Sequence, residues 1–280
     1  AQHLHAAGVG RKIAADLAAA LGSERKREHP PRVVGGGLDG RAAGAAGAAA
    51  AGLGVDGPPR LHPAAAPPPR AARRPGRPGG LQKGGLQAAV DAVAAAHPGE
   101  AVTVWAQDEH RLGLLPVVRR VWAPKGHRPV AAVRRRYEWL YAYAFARPRT
   151  GGSWWCLLPT VSVEAMGLAL AEFARAEGIG PGRRAVLAVD RAGWHASPRL
   201  ALPEGVHLAF LPPASPELQP AERLWPLLDE PVANRAFASL DALADALAAR
   251  CLALEADRRT VKAHTRYHWW PRERHPRRPQ

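Results

Sequence analysis

From about residue 84 onward, short apolar runs predict the strands of a sheet. Runs at 102–106, 185–189 and 206–211 are bounded by polar or turn residues, which is typical of strands buried on both faces. Two runs rich in aromatic residues, 137–145 and 154–158, predict a pair of neighbouring strands.

Apolar residues spaced three or four apart predict the helices. One helix carries four of them on one face: Val163, Met166, Leu170 and Phe173. Ser162 is its candidate N-cap and Gly178 its stop signal. A short helix is expected at 86–95, Pro220 opens another that carries Glu222, and an amphipathic helix at 240–254 comes last.

The order of these elements predicts an α/β fold with a mixed sheet. Residues 120–122 and 128–133 flank Pro124-Lys125-Gly126, a turn signal, and predict a hairpin. With the two aromatic runs, this hairpin gives antiparallel strands in succession. Because the later strands alternate with helices, we expect them to be parallel and covered by those helices.

Composition divides the chain into three regions. Residues 1–83 are dominated by Ala, Gly, Pro and Arg and hold too few large apolar residues to offset the entropy of ordering. We expect them to be mostly disordered, with one helix at 10–21. Their bias is also typical of a high-GC gene read in the wrong frame, a hypothesis that translation of the other frames would test. Residues 84–257 should form the folded domain and 258–280 a basic tail.

The charge balance favours a polyanionic partner. Lys and Arg number 39 against 24 Asp and Glu, a formal net charge of +15, and nucleic acid is the first partner that such a surplus indicates. Frequent arginine in high-GC genomes is the alternative source of this charge. Two cysteines exclude a disulfide framework, and we recognise neither a membrane span nor a signal peptide. We therefore expect a cytoplasmic, nucleoid-associated protein.

Three acidic residues stand out by their position. Asp108 and Asp190 each follow an apolar strand run, and Glu222 lies in the first turn of the predicted helix after the third run. Ligands of α/β sheets collect outside the carboxyl ends of strands, so these acids are expected to meet at one edge. Carboxylate oxygens suit Mg²⁺ or Mn²⁺, and two such ions can clamp the oxygens of a phosphoryl transfer. Each acid taken alone is also explained as a strand-end cap or a helix-dipole charge.

Three segments around these acids carry recognisable motifs: Asp108-Glu109, Asp190-x-x-x-x-His195 and Ser215-Pro216-Glu217-Leu218-x-Pro220-x-Glu222-x-x-Trp225. Through them, residues 102–270 resemble the mariner-like insertion-sequence transposases of bacteria, members of the DDE superfamily. The spacing between Asp190 and Glu222 also fits that family. Many relatives have Asn where this chain has Arg191, which would either weaken metal binding or meet a phosphate.

The resemblance implies an RNase H-like fold with Asp108, Asp190 and Glu222 as the catalytic acids and ligands of two Mg²⁺ or Mn²⁺ ions. It implies cleavage of double-stranded DNA at terminal inverted repeats and strand transfer into a target such as TA, by a homodimer. His195 matches a family histidine and would contact DNA, position Asp190 or be an ordinary core or surface histidine. Glu109 points away from Asp108 if the strand continues and is the weaker ligand candidate.

Basic residues outside these motifs are candidates for contacts with DNA. With Arg191 they form the following set: Arg119, Arg120, Arg134, Arg135, Arg136, Lys262 and Arg266. Charged loop tips and basic termini are common in any case, so a solvated surface is the alternative. The helix-turn-helix modules of the family are not recognisable in residues 1–83. A degenerate remnant that binds DNA without catalysis, or a stand-alone RNase H-like nuclease, therefore remain as alternative functions.

Overall fold

Five strands form one sheet in the computed structural model, which describes residues 81–125, 130 and 136–275. The strands are β1 (Ala101–Gly113), β2 (Trp139–Arg147), β3 (Gly152–Leu158), β4 (Arg183–Val189) and β5 (Val206–Phe210). The helices are α1 (Leu81–Ala96), α2 (Val163–Glu177), α3 (Trp225–Asp229), α4 (Leu240–Ala256) and α5 (Arg258–Thr265). Two 3₁₀ turns, Pro216–Leu218 and Pro220–Leu224, precede α3.

The sheet has the order β3-β2-β1-β4-β5 and is mixed. Strands β1, β2 and β3 pair in antiparallel fashion, while β4 pairs parallel to both β1 and β5. Helices flank the sheet on both faces. The predicted RNase H-like α/β sheet, with antiparallel strands followed by parallel ones, is therefore confirmed.

Strand β1 is longer than its apolar run predicts. The prediction made Asp108 the end of this strand, and that boundary is wrong, because β1 continues to Gly113. Parallel pairing with β4 stops at Ala106, but β2 continues to pair with β1 as far as Gly113. The hydrogen-bonded partner, rather than apolar content, sets the length of this strand. Asp108 thus lies in the part of β1 that pairs with β2 on one side and has no pairing with β4 on the other.

Each face of the sheet packs against a different set of helices. On one face, Trp105 and Phe145 pack on Phe173 of α2, with the two phenyl rings stacked 4.4 Å apart. On the other face, α1 and α4 cover the small and aliphatic side chains of the sheet. The predicted caps of α2 are confirmed: Ser162 accepts a hydrogen bond from the Ala165 N–H, and Gly178 adopts a left-handed conformation.

The helix predicted to open at Pro220 begins instead as a 3₁₀ turn, and only Trp225–Asp229 is α-helical. Proline at position 226 has no N–H, so it cannot donate the α-helical hydrogen bond to the carbonyl of Glu222. The Trp225 N–H makes the tighter bond to that carbonyl.

The predicted hairpin is not borne out in its first strand. Residues 116–124 belong to no strand, because the backbone of Val117 and Arg119 pairs with Asn234. The Asn234 side chain accepts from the Arg119 N–H at 2.8 Å and donates to its carbonyl at 3.0 Å. The second strand falls almost wholly on residues 126–129 and 131–135, which lie outside the described residues.

The segment predicted as a basic tail packs against the rest of the fold up to residue 275. Helix α5 buries Val261, and Trp270 is only 3% exposed against α1 and the sheet. Arg274 pairs with the backbone of Val102, and Glu273 accepts two hydrogen bonds from Arg147 at 2.6 and 2.7 Å. The apolar side chains between the basic residues explain this docking.

Two sequence predictions concern parts of the chain that this structure does not test. Residues 1–80 lie outside the described residues, and with them the predicted disorder and the helix at 10–21.

Among the helices that the structure describes, none combines the length and apolar character needed to cross a membrane.

Candidate active site

Asp108, Asp190 and Glu222 border one pocket at the edge of the sheet where β4 ends. The pocket has a volume of about 390 Å³. Its other walls come from Arg191, Ala192 and Gln219 and from the segment 211–216 that follows β5. The structure therefore brings together the three acids that the sequence singled out, even though Asp108 does not end its strand.

Asp108 is the most buried of the three acids. It lies opposite Ala144 of β2, on the face of the sheet covered by α4. Burial raises the pKa of Asp108 to about 8, and the charges of Glu109, Glu222 and Asp190 act in the same direction, against one backbone hydrogen bond that lowers it.

Glu222 is partly buried in the second 3₁₀ turn. Burial raises its pKa, and the charge of Asp190 raises it further, while Arg223 opposes the shift. The site thus concentrates negative charge in a partly dry pocket. A pocket of this kind favours cations, because each bound cation relieves the repulsion between carboxylates.

Gln219 ties the turn that carries Glu222 to strand β1. Its side chain is buried, and its amide donates a 2.9 Å hydrogen bond to the main-chain carbonyl of Gln107. The other end of the same amide accepts from the Ala221 N–H at 3.4 Å. Sequence reasoning missed Gln219, because the motif leaves position 219 unspecified.

Glu109 lies on the opposite face of β1 from Asp108, as expected for a continuing strand. Its carboxylate, 6% exposed, accepts hydrogen bonds from Gln107 Nε2 at 2.8 Å and Trp194 Nε1 at 3.2 Å. The same carboxylate lies 3.1 Å from Nε2 of His195. Glu109 therefore does not face the pocket and is not placed as a metal ligand.

His195 connects Glu109 to Asp190. Its Nδ1 lies 2.7 Å from Asp190 Oδ1, and its side chain has no exposed surface. Burial alone would lower the pKa of His195, but the hydrogen bonds and charges of Glu109 and Asp190 outweigh it and raise the pKa. A fully buried ring is not available to DNA, which removes one of the three roles considered for this histidine.

The predicted DNA-binding residues are dispersed. Arg191 is exposed and borders the pocket, with its guanidinium 5.6 Å from the ring of Phe210. The guanidinium of Arg119 is engaged with Asp229 and the Pro226 carbonyl, and that of Arg136 with Glu138 and the Ala238 carbonyl.

The remaining members of that set are not part of the pocket lining. Arg120 is exposed in the segment before the undescribed residues, while Lys262 and Arg266 lie at the end of α5. Arg134 and Arg135 lie outside the described residues. Arg191 is therefore the described basic residue best placed to meet a ligand of the acidic pocket.

The donor chemistry of the pocket fits hard divalent cations. Within the part of the chain that the structure describes, no group of three or more His, Cys, Asp or Glu side chains encloses a single metal position. Mg²⁺ does not require such a cage, since it is commonly held by one or two carboxylates together with waters and substrate phosphates. The carboxylates that border this pocket are donors of that kind.

By its class, the protein has an RNase H-like fold in which three acids border one pocket at the edge of the sheet. The model of the DDE superfamily endonucleases matches residues 103–244, slightly more than half of the chain. This chain therefore belongs to the DDE superfamily endonucleases, and the predicted membership is confirmed.

Individual relatives extend the comparison. The uncharacterized protein y4pE/y4sA of Sinorhizobium fredii (strain NBRC 101917 / NGR234) is 41% identical over 104 residues, which cover 37% of this chain and 76% of that relative. Among solved structures, the Mos1 strand transfer complex is 15% identical, with a TM-score of 0.38, over 66% of this chain and 62% of that one. A pre-cleavage Mos1 transpososome is 14% identical, with a TM-score of 0.40, over 66% and 63%. This chain thus spans less than two thirds of the length of these Mos1 chains.

Proposed function

We propose that this chain carries the catalytic domain of a mariner-like DNA transposase. It would cut double-stranded DNA at the terminal inverted repeats of a mobile element and join the freed ends to target DNA at a TA dinucleotide. The observation that carries the proposal is the meeting of Asp108, Asp190 and Glu222 at one pocket. Membership of the DDE superfamily endonucleases supports the same reaction class.

The three acids would hold two Mg²⁺ or Mn²⁺ ions, which supply Lewis-acid stabilisation of the phosphate and of the attacking and leaving oxygens. Asp108 and Glu222 contribute carboxylates whose charge is costly in this partly buried pocket, so binding of cations is favoured. Arg191 at the rim of the pocket is placed to meet the phosphate backbone of DNA.

The reaction would proceed in two phosphoryl transfers. In the first, water attacks a phosphodiester at the element end and releases a 3′-hydroxyl. In the second, that hydroxyl attacks a target phosphodiester, so one bond forms for each bond that breaks. Two element ends must be held together for this sequence, and we therefore propose a homodimer acting on DNA in the cytoplasm.

A nicking assay tests the proposal directly. Full-length protein is incubated with Mg²⁺ and with DNA that carries the inverted repeats flanking its own gene. Asp190→Asn should lower nicking by more than about 100-fold, because a lost ligand weakens stabilisation worth several kcal/mol, and should preserve DNA binding. The matched control is Asp241→Asn, the same change at an exposed acid in the first turn of α4 that does not border the pocket.

The same assay separates the alternatives. DNA binding without Mg²⁺-dependent nicking would identify a degenerate remnant and contradict the proposal. Cleavage of RNA–DNA hybrids at the same rate as inverted-repeat DNA would identify a stand-alone nuclease. Nicking that persists in Asp190→Asn would show that the acids are not the catalytic set.

A further inference from the structure

We infer that His195 and Glu109 are positioning residues for Asp190: Glu109 holds the imidazole of His195, and His195 in turn holds the Asp190 carboxylate at the edge of the pocket. The inference rests on the proposed function, because it assigns Asp190 to the metal-binding set. It gives roles to two buried polar residues that do not face the pocket.

Asp190 is the one member of the acid set that lies outside regular structure. Asp108 is fixed within β1, and Glu222 lies in a 3₁₀ turn that Gln219 ties to β1. Asp190 instead follows the last residue of β4, and its side chain is 56% exposed. A carboxylate so placed can rotate freely unless neighbouring groups fix it, and a mobile ligand loses entropy when it binds a cation.

Two contacts fix Asp190, and both reach the same oxygen. Oδ1 accepts a 2.9 Å hydrogen bond from the Ala192 N–H and lies 2.7 Å from His195 Nδ1. The backbone contact belongs to the loop itself, whereas the histidine contact reaches the core of the protein. With Oδ1 occupied, Oδ2 is the oxygen left to face the pocket.

The orientation of the imidazole depends on Glu109. A histidine ring that serves as a hydrogen-bond partner at one nitrogen is fixed by the partner at its other nitrogen. Here that partner is the Glu109 carboxylate, 3.1 Å from Nε2. Gln107 and Trp194 hold the same carboxylate by donating to its two oxygens.

The network also explains why two adjacent acids on β1 serve different purposes. Asp108 and Glu109 leave the strand on opposite faces. Asp108 borders the pocket directly. Glu109, on the opposite face of the sheet, acts on Asp190 through His195. One rigid strand therefore sets the relative position of Asp108 and Asp190.

Stability alone is a weak reason for this arrangement. Glu109 and His195 are 6% and 0% exposed in their side chains, and burying such groups costs desolvation that their pairing only partly offsets. Well-packed apolar side chains at these positions would serve the core at least as well. A role in holding Asp190 accounts for the buried polar groups.

Two substitutions of His195 distinguish positioning from core filling. The amide nitrogen of His195→Asn falls near the position of Nδ1 and can still donate to Asp190. That of His195→Gln reaches toward the position of Nε2 and can still meet Glu109, but it does not serve Asp190. The glutamine is closer to histidine in volume, so a purely structural role predicts that it is the milder change.

The readout is Mn²⁺ affinity of the full-length protein without DNA, measured by electron paramagnetic resonance of the free ion, together with thermal unfolding. We expect His195→Gln to weaken Mn²⁺ binding by about 10- to 100-fold, which is the range seen when groups that orient metal ligands are removed. His195→Asn should weaken binding much less. Glu109→Gln keeps a carbonyl acceptor and nearly the same shape, and should weaken binding by about 10-fold. Adding Glu109→Gln to His195→Gln should cause no further loss, because both act through Asp190.

The outcomes separate this inference from the proposed function. If the wild-type protein does not bind Mn²⁺, or binds it no more tightly than Asp190→Asn does, the proposed function fails and the inference fails with it. If Asp190→Asn abolishes Mn²⁺ binding while folded His195→Gln and Glu109→Gln bind as tightly as wild type, only the inference fails. Should His195→Gln not fold, Glu109→Gln decides the question alone, and an affinity equal to that of wild type overturns the inference.

Discussion

The side-chain amide of Gln219 donates a 2.9 Å hydrogen bond to the main-chain carbonyl of Gln107. Both side chains are buried. Gln107 directly precedes Asp108 in β1, and Gln219 directly precedes the 3₁₀ turn that carries Glu222. This long-range hydrogen bond therefore helps to hold the third acid in position relative to the first.

Replacing Gln219 with Leu should loosen that relationship. The change removes a buried donor and leaves a carbonyl without its partner, which costs about 1–3 kcal/mol of unfolding free energy. Mn²⁺ affinity and Mg²⁺-dependent nicking should each fall by about 10-fold, as for other residues that support metal ligands. Gln87→Leu is the control, because it likewise removes side-chain hydrogen bonds, to Asp91 and from the Arg272 N–H, at a half-buried position of α1 that does not border the pocket. A Gln219→Leu protein with wild-type metal affinity would contradict the prediction.

Metal binding should depend on pH through Asp108. Since burial and neighbouring charges raise its pKa to about 8 in the metal-free protein, the carboxyl is mostly protonated at neutral pH, and a cation must displace that proton. Because one proton competes with the cation, the apparent Mn²⁺ affinity should fall about tenfold for each unit by which the pH drops below 8. Above pH 8 the affinity should level off. Titrations between pH 6 and 9 measure this. Affinity that is constant across that range would count against the assignment of Asp108.

Arg191 should contribute to the affinity for DNA through phosphate. Arg191→Gln is expected to weaken DNA binding at low salt and to reduce the slope of log K against log salt by about one. Arg175→Gln is the control. Arg175 pairs with Glu172 in the last turn of α2. This turn precedes the start of β4, whereas Asp190 follows the other end of that strand. Fluorescence anisotropy at several salt concentrations measures both slopes. Equal slopes for wild type and Arg191→Gln would exclude a phosphate contact.

Gly151 should be intolerant of any side chain. It turns between β2 and β3 with φ of 78°, and a Cβ there would overlap the carbonyl oxygen of Arg258 at the start of α5. Gly151→Ala should lower the free energy of unfolding by about 2 kcal/mol or more.

The matched control is Gly167→Ala in α2, where the nearest atoms to an added Cβ are 3.9 Å away. That change should raise stability by about 0.5–1 kcal/mol, because glycine is a poor helix residue. Chemical denaturation compares the two variants. Equal stability would mean that α5 does not pack closely against the turn.

Local signals predicted those elements whose cause is local. Ser162 and Gly178 bound α2 because capping depends on residues within one turn of the helix end. The apolar run of β4 predicted a strand that is buried on both faces. The run of β5 also predicted a strand, but β5 lies at the edge of the sheet and is only partly buried. The same local logic failed for β1, whose last residues are polar and are held in the strand by β2.

The sequence by itself determined most of the strands and helices and singled out the three acids, because periodicity, caps and motif spacing are properties of neighbouring residues. Only the tertiary structure decided which face of β1 each acid occupies, and that Glu109 meets His195 rather than the pocket. It also decided that Gln219 joins Gln107. These contacts link residues more than eighty positions apart, and such pairs are fixed by strand register and helix docking, which no local pattern encodes.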